Sequence, residues 1–384
     1  MRKTLILSYA NWDSLIELPY VIKNGGGGVV VYCKKGAWAI ENNYYDEWIE
    51  APDGEIAYLD KLFQVMRERG NEFDWVIPGD DEILRLLNEH IQSEDLFKKL
   101  LPITKIENRA MLGTKSGFSD VCIKCNIPTP KYLVYTTGMS DEHISSYMGF
   151  PLIIKLDKSQ AGTGVFICHN NTEFNAVWSG ITDRENCVFQ QFIKGFEVKM
   201  EALYDDGKLI AHTYSRILKV LGKNGLSTQR LFINYPEIRT MLEEMGEKFG
   251  LNGFGNIAFM VDEKSGKHYL IEADLRPNSW VFYGKFNGVD FSEAVRRKLN
   301  KEHKLVKNTM AVHSTVRVSL YKKDMMRAIV EKDTESLLYW FFNKENSSRF
   351  KPNYDPKLLK STNEYLWWYF KDLAKNKIAK ILKK

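Results

Sequence analysis

The chain has 384 residues, 44% hydrophobic and 27% charged, with a formal net charge of +5. That length supports two or three globular units with sizeable cores and excludes a disordered or fibrous chain. No apolar run approaches the ~20 residues that cross a bilayer, and the apolar stretch behind Met1 is too short for a secretory signal, so a soluble cytoplasmic protein is expected. From Lys351 onward nine lysines face only Asp355, Glu364 and Asp372. The positive charge therefore belongs to the tail, and nucleic-acid binding is not expected. Five scattered cysteines suit reduced thiols. Cys122 and Cys125 form one CxxC inside a helical pattern without a second pair or a nearby histidine, which favours helix packing over zinc or redox chemistry.

In chain order, TLILSY (4–9) is an apolar run of strand length, followed by helical spacing through Leu15, Leu18 and Ile22, a glycine stop at 25–28 and a second strand, VVVYC. DWVIP (74–78) is a third strand, followed by GDDE and a helix through Ile83, Leu86 and Leu87. This alternation predicts a small parallel α/β domain. The tetraglycine precedes a strand and so reads as a helix stop, since a dinucleotide loop follows a strand and opens a helix. Asp80 or Asp81 either caps the following helix or faces an acceptor cleft at the strand ends. A helix over 116–124 ends at Asn126, and IPTP forces an extended exit. Beyond it come longer strands with hairpin turns at DDG (205–207) and EKSG (263–266), and helices at 172–180 and 236–249, an α+β region.

Three stretches suggest nucleotide binding. GTKS (113–116) lacks the spacing of a full P-loop, and GFGNIA (253–258) leads into a strand instead of a helix. The third persists. In IIKLDKSQAGTGV, Lys155 ends a strand, and Gly162 and Gly164 flank Thr163 in a loop whose N–H groups can approach phosphate closely. A glycine-rich hairpin turn is the plainer alternative. QQFIKGFE offers extended backbone to an adenine edge, and Glu197 offers a carboxylate to ribose hydroxyls. YLIEADLRPN (269–278) carries Glu272, Asp274 and Arg276 at alternate positions, spaced ~6.6 Å apart on one strand face. Two carboxylates suit Mg²⁺ and an arginine suits a phosphate in transfer; a surface ion pair is the competing reading.

Taken in order over residues 105–300, TKSGFSDVCIKCNIPTP, PLIIKLDKSQAGTGV, QQFIKGFE and YLIEADLRPN resemble the ATP-grasp superfamily, and within it the carbamoyl-phosphate-synthase-like and D-alanine-D-alanine-ligase-like carboxylate-amine ligases. The resemblance implies α/β plus α+β architecture: an N-terminal parallel α/β (pre-ATP-grasp) domain over 1–104, a two-lobed ATP-grasp domain over 105–305 (lid-bearing lobe 105–187, metal-bearing lobe 188–305), and a C-terminal extension over 306–384. It implies that Lys115 and Lys155 bind phosphates, that Ser159 to Gly164 form a lid, and that Gln190, Gln191 and Ile193 meet adenine. Glu197 then takes the ribose, Glu272 and Asp274 bind one or two Mg²⁺ ions, and Arg276 and Asn278 face phosphate and substrate. A further metal carboxylate is expected on the preceding strand, where this chain has Ala258, with Asn256 as a weaker ligand two residues earlier.

The expected activity is ATP-dependent joining of a carboxylate to an amine or thiol through an acylphosphate, with release of ADP and phosphate. Arg216 and Arg230 are candidates for the substrate carboxylate. An ATP-binding regulatory or scaffold protein is the alternative that Ala258 favours. Carboxyphosphate chemistry on bicarbonate is less expected, because the chain holds no biotin-carrier or glutaminase segment. In the tail, Leu366, Trp367, Phe370, Leu373, Ala374, Ile378 and Ile381 share a broad helical arc beside lysines. Residues 361–384 accordingly either touch an anionic membrane surface peripherally, at the inner face, or dock on the body.

Overall fold

The structure, a computed structural model, describes residues 1–157, 164–222, 225–343 and 348–382, with side chains through 373 and at 375. Strands β1 (Lys3–Leu7), β2 (Gly28–Cys33), β3 (Glu47–Glu50) and β4 (Phe73–Pro78) form a parallel sheet in the order β3-β2-β1-β4. Around it lie α1 (Leu18–Asn24), α2 (Glu55–Arg69), α3 (Asp81–His90) and α4 (Glu94–Leu100). All six residues of β2 are buried, as a parallel strand covered on both faces requires. Gly25 closes α1, so the tetraglycine is the expected helix stop. The sequence reading lacks β3 and α2. The first is a four-residue edge strand, EWIE, with charged ends, and the second starts at Gly54 without a side-chain cap. From β1 the chain moves to β2 on one side and reaches β4 on the other, which opens a crevice at the C-terminal ends of β1 and β4.

Next come α5 (Lys115–Lys124), β5 (Tyr132–Val134), α6 (Asp141–Met148), β6 (Leu152–Leu156), β7 (Val165–Cys168), α7 (Asn171–Ser179) and β8 (Cys187–Gln191). Their antiparallel sheet, β5-β8-β6-β7, packs on Ile144, Phe174 and Trp178. Asn126, at a φ of 53°, takes the left-handed conformation that ends α5.

The largest sheet has seven strands: β9 (Gly195–Asp205), β10 (Lys208–His212), β11 (Ser215–Val220), β12 (Ser227–Ile233), β13 (Gly253–Asp262), β14 (His268–Asp274) and β15 (Thr315–Ser319). They run β14-β13-β9-β11-β12-β15, with β10 also on β9. Helices α8 (Arg239–Phe249), α9 (Trp280–Tyr283) and α10 (Phe291–Leu299) are interleaved. Asp206 and Gly207, at φ 46° and 77°, make the two-residue turn between β9 and β10 that the DDG sequence predicts. Gly195 begins β9 so near β13 that a Cβ there would stand 1.8 Å from the Val261 carbonyl oxygen. Only glycine fits that approach, and the crossing sets the register of Glu197.

After residue 305 the chain adds β15 to this sheet and continues through α11 (Tyr321–Val330), α12 (Thr334–Phe342) and α13 (Pro356–Leu382). Helix α13 docks on the N-terminal sheet's loops. Asp355 accepts hydrogen bonds of 2.8 Å from both Asn43 N and Nδ2, and Lys357 Nζ donates to Ile40 O at 2.7 Å. Leu358, Thr362 and Leu366 are buried and Phe370 packs beside them, whereas Trp367 and Trp368 are exposed. The predicted arc is therefore divided between body and solvent as far as Phe370, and the side chains of Ala374, Ile378 and Ile381 lie outside the described residues. No helix among the described residues is long and apolar enough to cross a membrane.

Candidate functional site

The site lies where the three sheets converge. Thr114 caps α5, its Oγ1 accepting from Gly117 N at 3.0 Å, and this points Lys115 at the end of β6. Lys115 Nζ donates to Leu156 O at 2.9 Å and Asp157 O at 3.0 Å, bracing the strand end from which the predicted lid departs. Asp157 in turn accepts from Ser116 N and Oγ at 2.9 and 2.7 Å. Ser159, Gly162 and Thr163 lie outside the described residues; Gly164 is described, at a φ of 127°, and its carbonyl accepts from Leu156 N at 2.8 Å. Lys155 sits one residue inside the end of β6. Burial above all pushes it down to about 8, against the attraction of Glu272 and with Lys115 adding repulsion.

Gln190 is buried on β8, paired with Ile153 and Tyr132. The N–H of Gln191 donates to Lys131 O at 2.8 Å, so that donor is taken up by the chain, and Ile193 is buried just beyond the strand.

Three aligned strands supply the charged floor. Ala258 on β13 pairs with Lys199 on β9 and with Glu272 on β14, and Asn256 pairs with Glu201 and with Asp274. Cross-strand partners share a face, so Lys199, Glu201, Glu272 and Asp274 all project into one cleft. The register shifts between Ala258 and Phe259, leaving Ile271 as an extra residue before Glu272. Such a bulge re-aims the residues beyond it. The alternation read from the sequence therefore holds for Glu272 and Asp274, while Arg276 lies past the end of β14, its N–H donating to Asp274 O at 2.8 Å.

Lys199, absent from the sequence expectations, holds the centre. Its Nζ stands 3.0 Å from Glu197 Oε1 and 3.0 Å from Glu272 Oε2. Burial works against its charge, but Glu272 and Glu197 outweigh that and raise it above an ordinary lysine. Lys199 foremost, against burial, holds the half-exposed Glu272 below the usual carboxylate range. Asp274 goes the other way, pushed up by burial and by neighbouring Glu272 with Arg276 opposing. Asn256 Nδ2 donates to Asp274 Oδ2 at 3.1 Å, and its buried Oδ1 has no hydrogen-bond partner.

That orphaned oxygen, with Glu272 and Asp274, is the observation that tests a metal. Hard oxygen donors on one face fit Mg²⁺, which takes one or two carboxylates and completes its shell with phosphate and water. Among the described residues no group of three or more His, Cys, Asp or Glu could hold a metal. These residues therefore fit an ion carried in with phosphates better than a dedicated protein cage.

Arg276 reaches the first sheet. Its Nη2 donates to Asp81 Oδ2 at 2.8 Å and its Nε to Asp81 Oδ1, while its guanidinium lies over the Trp12 ring, 4.9 Å from the centroid. The two acids of GDDE thus divide the alternatives. Asp80 caps α3 through Ile83 N at 3.0 Å and binds Tyr9 N and Ala10 N, and Asp81 faces the cleft.

The substrate arginines do not stand as expected. Arg216 pairs with Val198 and lies over Phe196, on the sheet face opposite Lys199 and Glu272, because neighbouring residues on β9 alternate sides. Arg230 is on the cleft side but buried, and its Nη1 donates to Glu201 Oε1 at 2.8 Å. Glu201 also accepts from Thr213 Oγ1 at 2.8 Å and Asn278 Nδ2 at 3.2 Å, so Arg230 and Asn278 meet through a buried acid that anchors the segment after Arg276. The apolar–charged alternation of EVKME was the available signal for Lys199 and Glu201; without the pairing register it does not distinguish a cleft from solvent.

Residues 114–208 match the RimK-like ATP-grasp domain. A curated relative, the chloroplastic phosphoribosylamine–glycine ligase of Arabidopsis thaliana, is 29% identical over 195 residues, spanning 44% of this chain and 36% of its own length. The chain thus spans only about a third of that relative. Among solved structures, N5-carboxyaminoimidazole synthetase from Staphylococcus aureus complexed with ADP has a TM-score of 0.60 at 13% identity, covering 87% of this chain and 86% of that one. The biotin carboxylase domain of Hydrogenobacter thermophilus 2-oxoglutarate carboxylase gives 0.58 at 17%, covering 81% and 71%. L-amino acid ligase from Bacillus licheniformis gives 0.54 at 16%, covering 79% and 76%. The fold is shared with these solved structures. Within that fold, residues 114–208 are the part that resembles a RimK-like ATP-grasp domain.

Proposed function

We propose that the chain is an ATP-dependent, ADP-forming ligase that joins a small-molecule carboxylate to an amine. The observation that carries this reading is the convergence of Lys155, Glu272, Asp274 and Arg276 on one cleft, with Arg276 tied to Asp81 at the crevice of the parallel sheet. A carboxylate oxygen attacks the γ-phosphorus of ATP, the bond to the β-phosphate oxygen breaks, and ADP leaves. The amine nitrogen then attacks the acyl carbon, phosphate departs, and the amine proton passes to solvent. Such transfers need positioning and charge neutralisation more than a nucleophilic side chain. Lys155 and Arg276 neutralise the transferred phosphoryl group, Lys115 steadies the end of β6, and Glu197 meets the ribose. Mg²⁺, bound by Glu272 and Asp274 with Asn256 Oδ1, would neutralise the phosphate charge. Asn278 and Trp12 border the acceptor side.

Release of ADP and phosphate in the presence of pooled carboxylic and amino acids, with mass spectrometry for the amide, tests this. Tight MgATP binding with no turnover in any pool sinks the ligase reading and leaves an ATP-binding scaffold. We further propose that the tail touches anionic membrane peripherally through exposed Trp367 and Trp368, with Lys371 beside Trp367. Binding to anionic liposomes at low salt that survives Trp367→Ala/Trp368→Ala removes that idea.

A further inference from the structure

We propose that Lys199 takes the place of a second divalent cation, so that the chain binds its nucleotide with one divalent cation and one lysine ammonium. The inference rests on the nucleotide-binding reading above. Across the row Lys199–Ala258–Glu272 the middle side chain is a methyl, wholly buried. It offers no oxygen to a metal and leaves room for the lysine to reach over it. The ammonium spans that position and binds Glu197 and Glu272 at 3.0 Å each. Two of its three N–H donors are engaged there, and none of the described residues takes the third, which is left for a ligand in the cleft.

The adjoining row differs. Glu201 is taken up by Arg230, Thr213 and Asn278, while Asp274 and the unpartnered Asn256 Oδ1 remain as donors. One cation can thus use Asp274, Asn256 Oδ1 and the free oxygen of Glu272, with phosphate oxygens completing its shell. A second would need the oxygens that Lys199 already holds, beside a fixed positive charge and with no carboxylate at residue 258. The lysine supplies the neutralising charge from that side without a metal.

Mn²⁺ titration of the full chain with saturating ADP, read by the EPR signal of free Mn²⁺, decides the matter. One bound Mn²⁺ per chain is expected for the wild type, and two for the folded Lys199→Met/Ala258→Glu variant, which exchanges the ammonium for a carboxylate. Two in the wild type, or one in the folded double variant, overturns the proposal while nucleotide binding stands. A wild-type chain that binds no ADP overturns the nucleotide reading as well. Should the double variant fail to fold, Lys199→Met alone serves: ADP affinity falls about tenfold and depends more steeply on free Mn²⁺, the loss expected for one charge-assisted hydrogen bond. Affinity and steepness unchanged from wild type overturn the proposal, and Lys199→Arg restores both if it holds.

Discussion

Lys298 is buried and Lys155 half-buried, and loss of solvent pushes both down to about 8, yet their surroundings could hardly differ more. Lys298 Nζ donates to Tyr204 O at 3.0 Å, Asp205 Oδ1 at 3.0 Å and Asn252 Oδ1 at 2.7 Å, filling all three donors from within the fold. The Lys155 ammonium has no hydrogen bond or ion pair to any of the described residues, and it faces a cleft already populated by Lys115 and Lys199. A buried charge satisfied by its own chain fixes structure. A half-buried charge whose donors point into a cleft is held ready for an anion from outside.

The sharpest contrast comes from removing each charge. Lys298→Met strips the buried cation from Asp205, itself buried, and leaves it the more exposed Lys301 and His303. We expect a loss of about 3 kcal/mol in urea unfolding, as for a broken buried pair. A change below about 1 kcal/mol would remove the structural half of the comparison. Glu272→Gln tests the other half: phosphate release should fall at least about 100-fold with the unfolding midpoint nearly unmoved, since among the described residues its carboxylate bonds to Lys199 alone. Equal losses of stability and turnover would show that the cleft row, too, is mainly structural.

Legibility in the sequence divides along the same line. Glu272, Asp274 and Lys155 were legible because each sits on an apolar strand where a charge is conspicuous. The hairpin at Asp206–Gly207 was legible because its turn demands those residues. Lys199 and Glu201 were not, because EVKME alternates as any half-exposed strand does, and only the pairing with Ala258 and Asn256 aims it into the cleft. Arg216 and Arg230 went astray for the same reason. Their roles depend on which face β11 and β12 present and on the buried Glu201, facts of register that spacing along one strand cannot carry. Asp81 escaped assignment because one dipeptide divides its work, the first acid capping α3 and the second binding Arg276 across 195 positions of chain.

Lys155→Met should act on binding where Lys298→Met acts on folding. Removing a half-buried ammonium without a bonded partner among the described residues strands no other group, so stability should stay within about 1 kcal/mol of wild type. ADP affinity should fall about tenfold or more, measured by calorimetry at fixed free Mg²⁺. Loss of stability without loss of affinity would place Lys155 with Lys298.

The smallest effect is in protons. Lys155 is pushed from 10.5 to about 8 in the folded chain, so the unfolded chain holds this proton more tightly. The cost to stability is full below about pH 8 and fades as pH rises from there toward 10.5. A phosphate anion beside Lys155 favours the charged form and restores its proton, so ADP binding between those limits takes up a proton from solvent. Calorimetry in buffers of different ionisation enthalpy should find uptake near zero at pH 7 and most of a proton at pH 9. Lys155→Met should remove the greater part of it, leaving what Lys115, also lowered by burial, contributes. Lys298 titrates over the same range but keeps its partners whether or not ligand is bound, so Lys298→Met should leave the uptake unchanged. Equal loss in both variants would mean that the proton reports the stability of the fold and not the approach of an anion to the cleft.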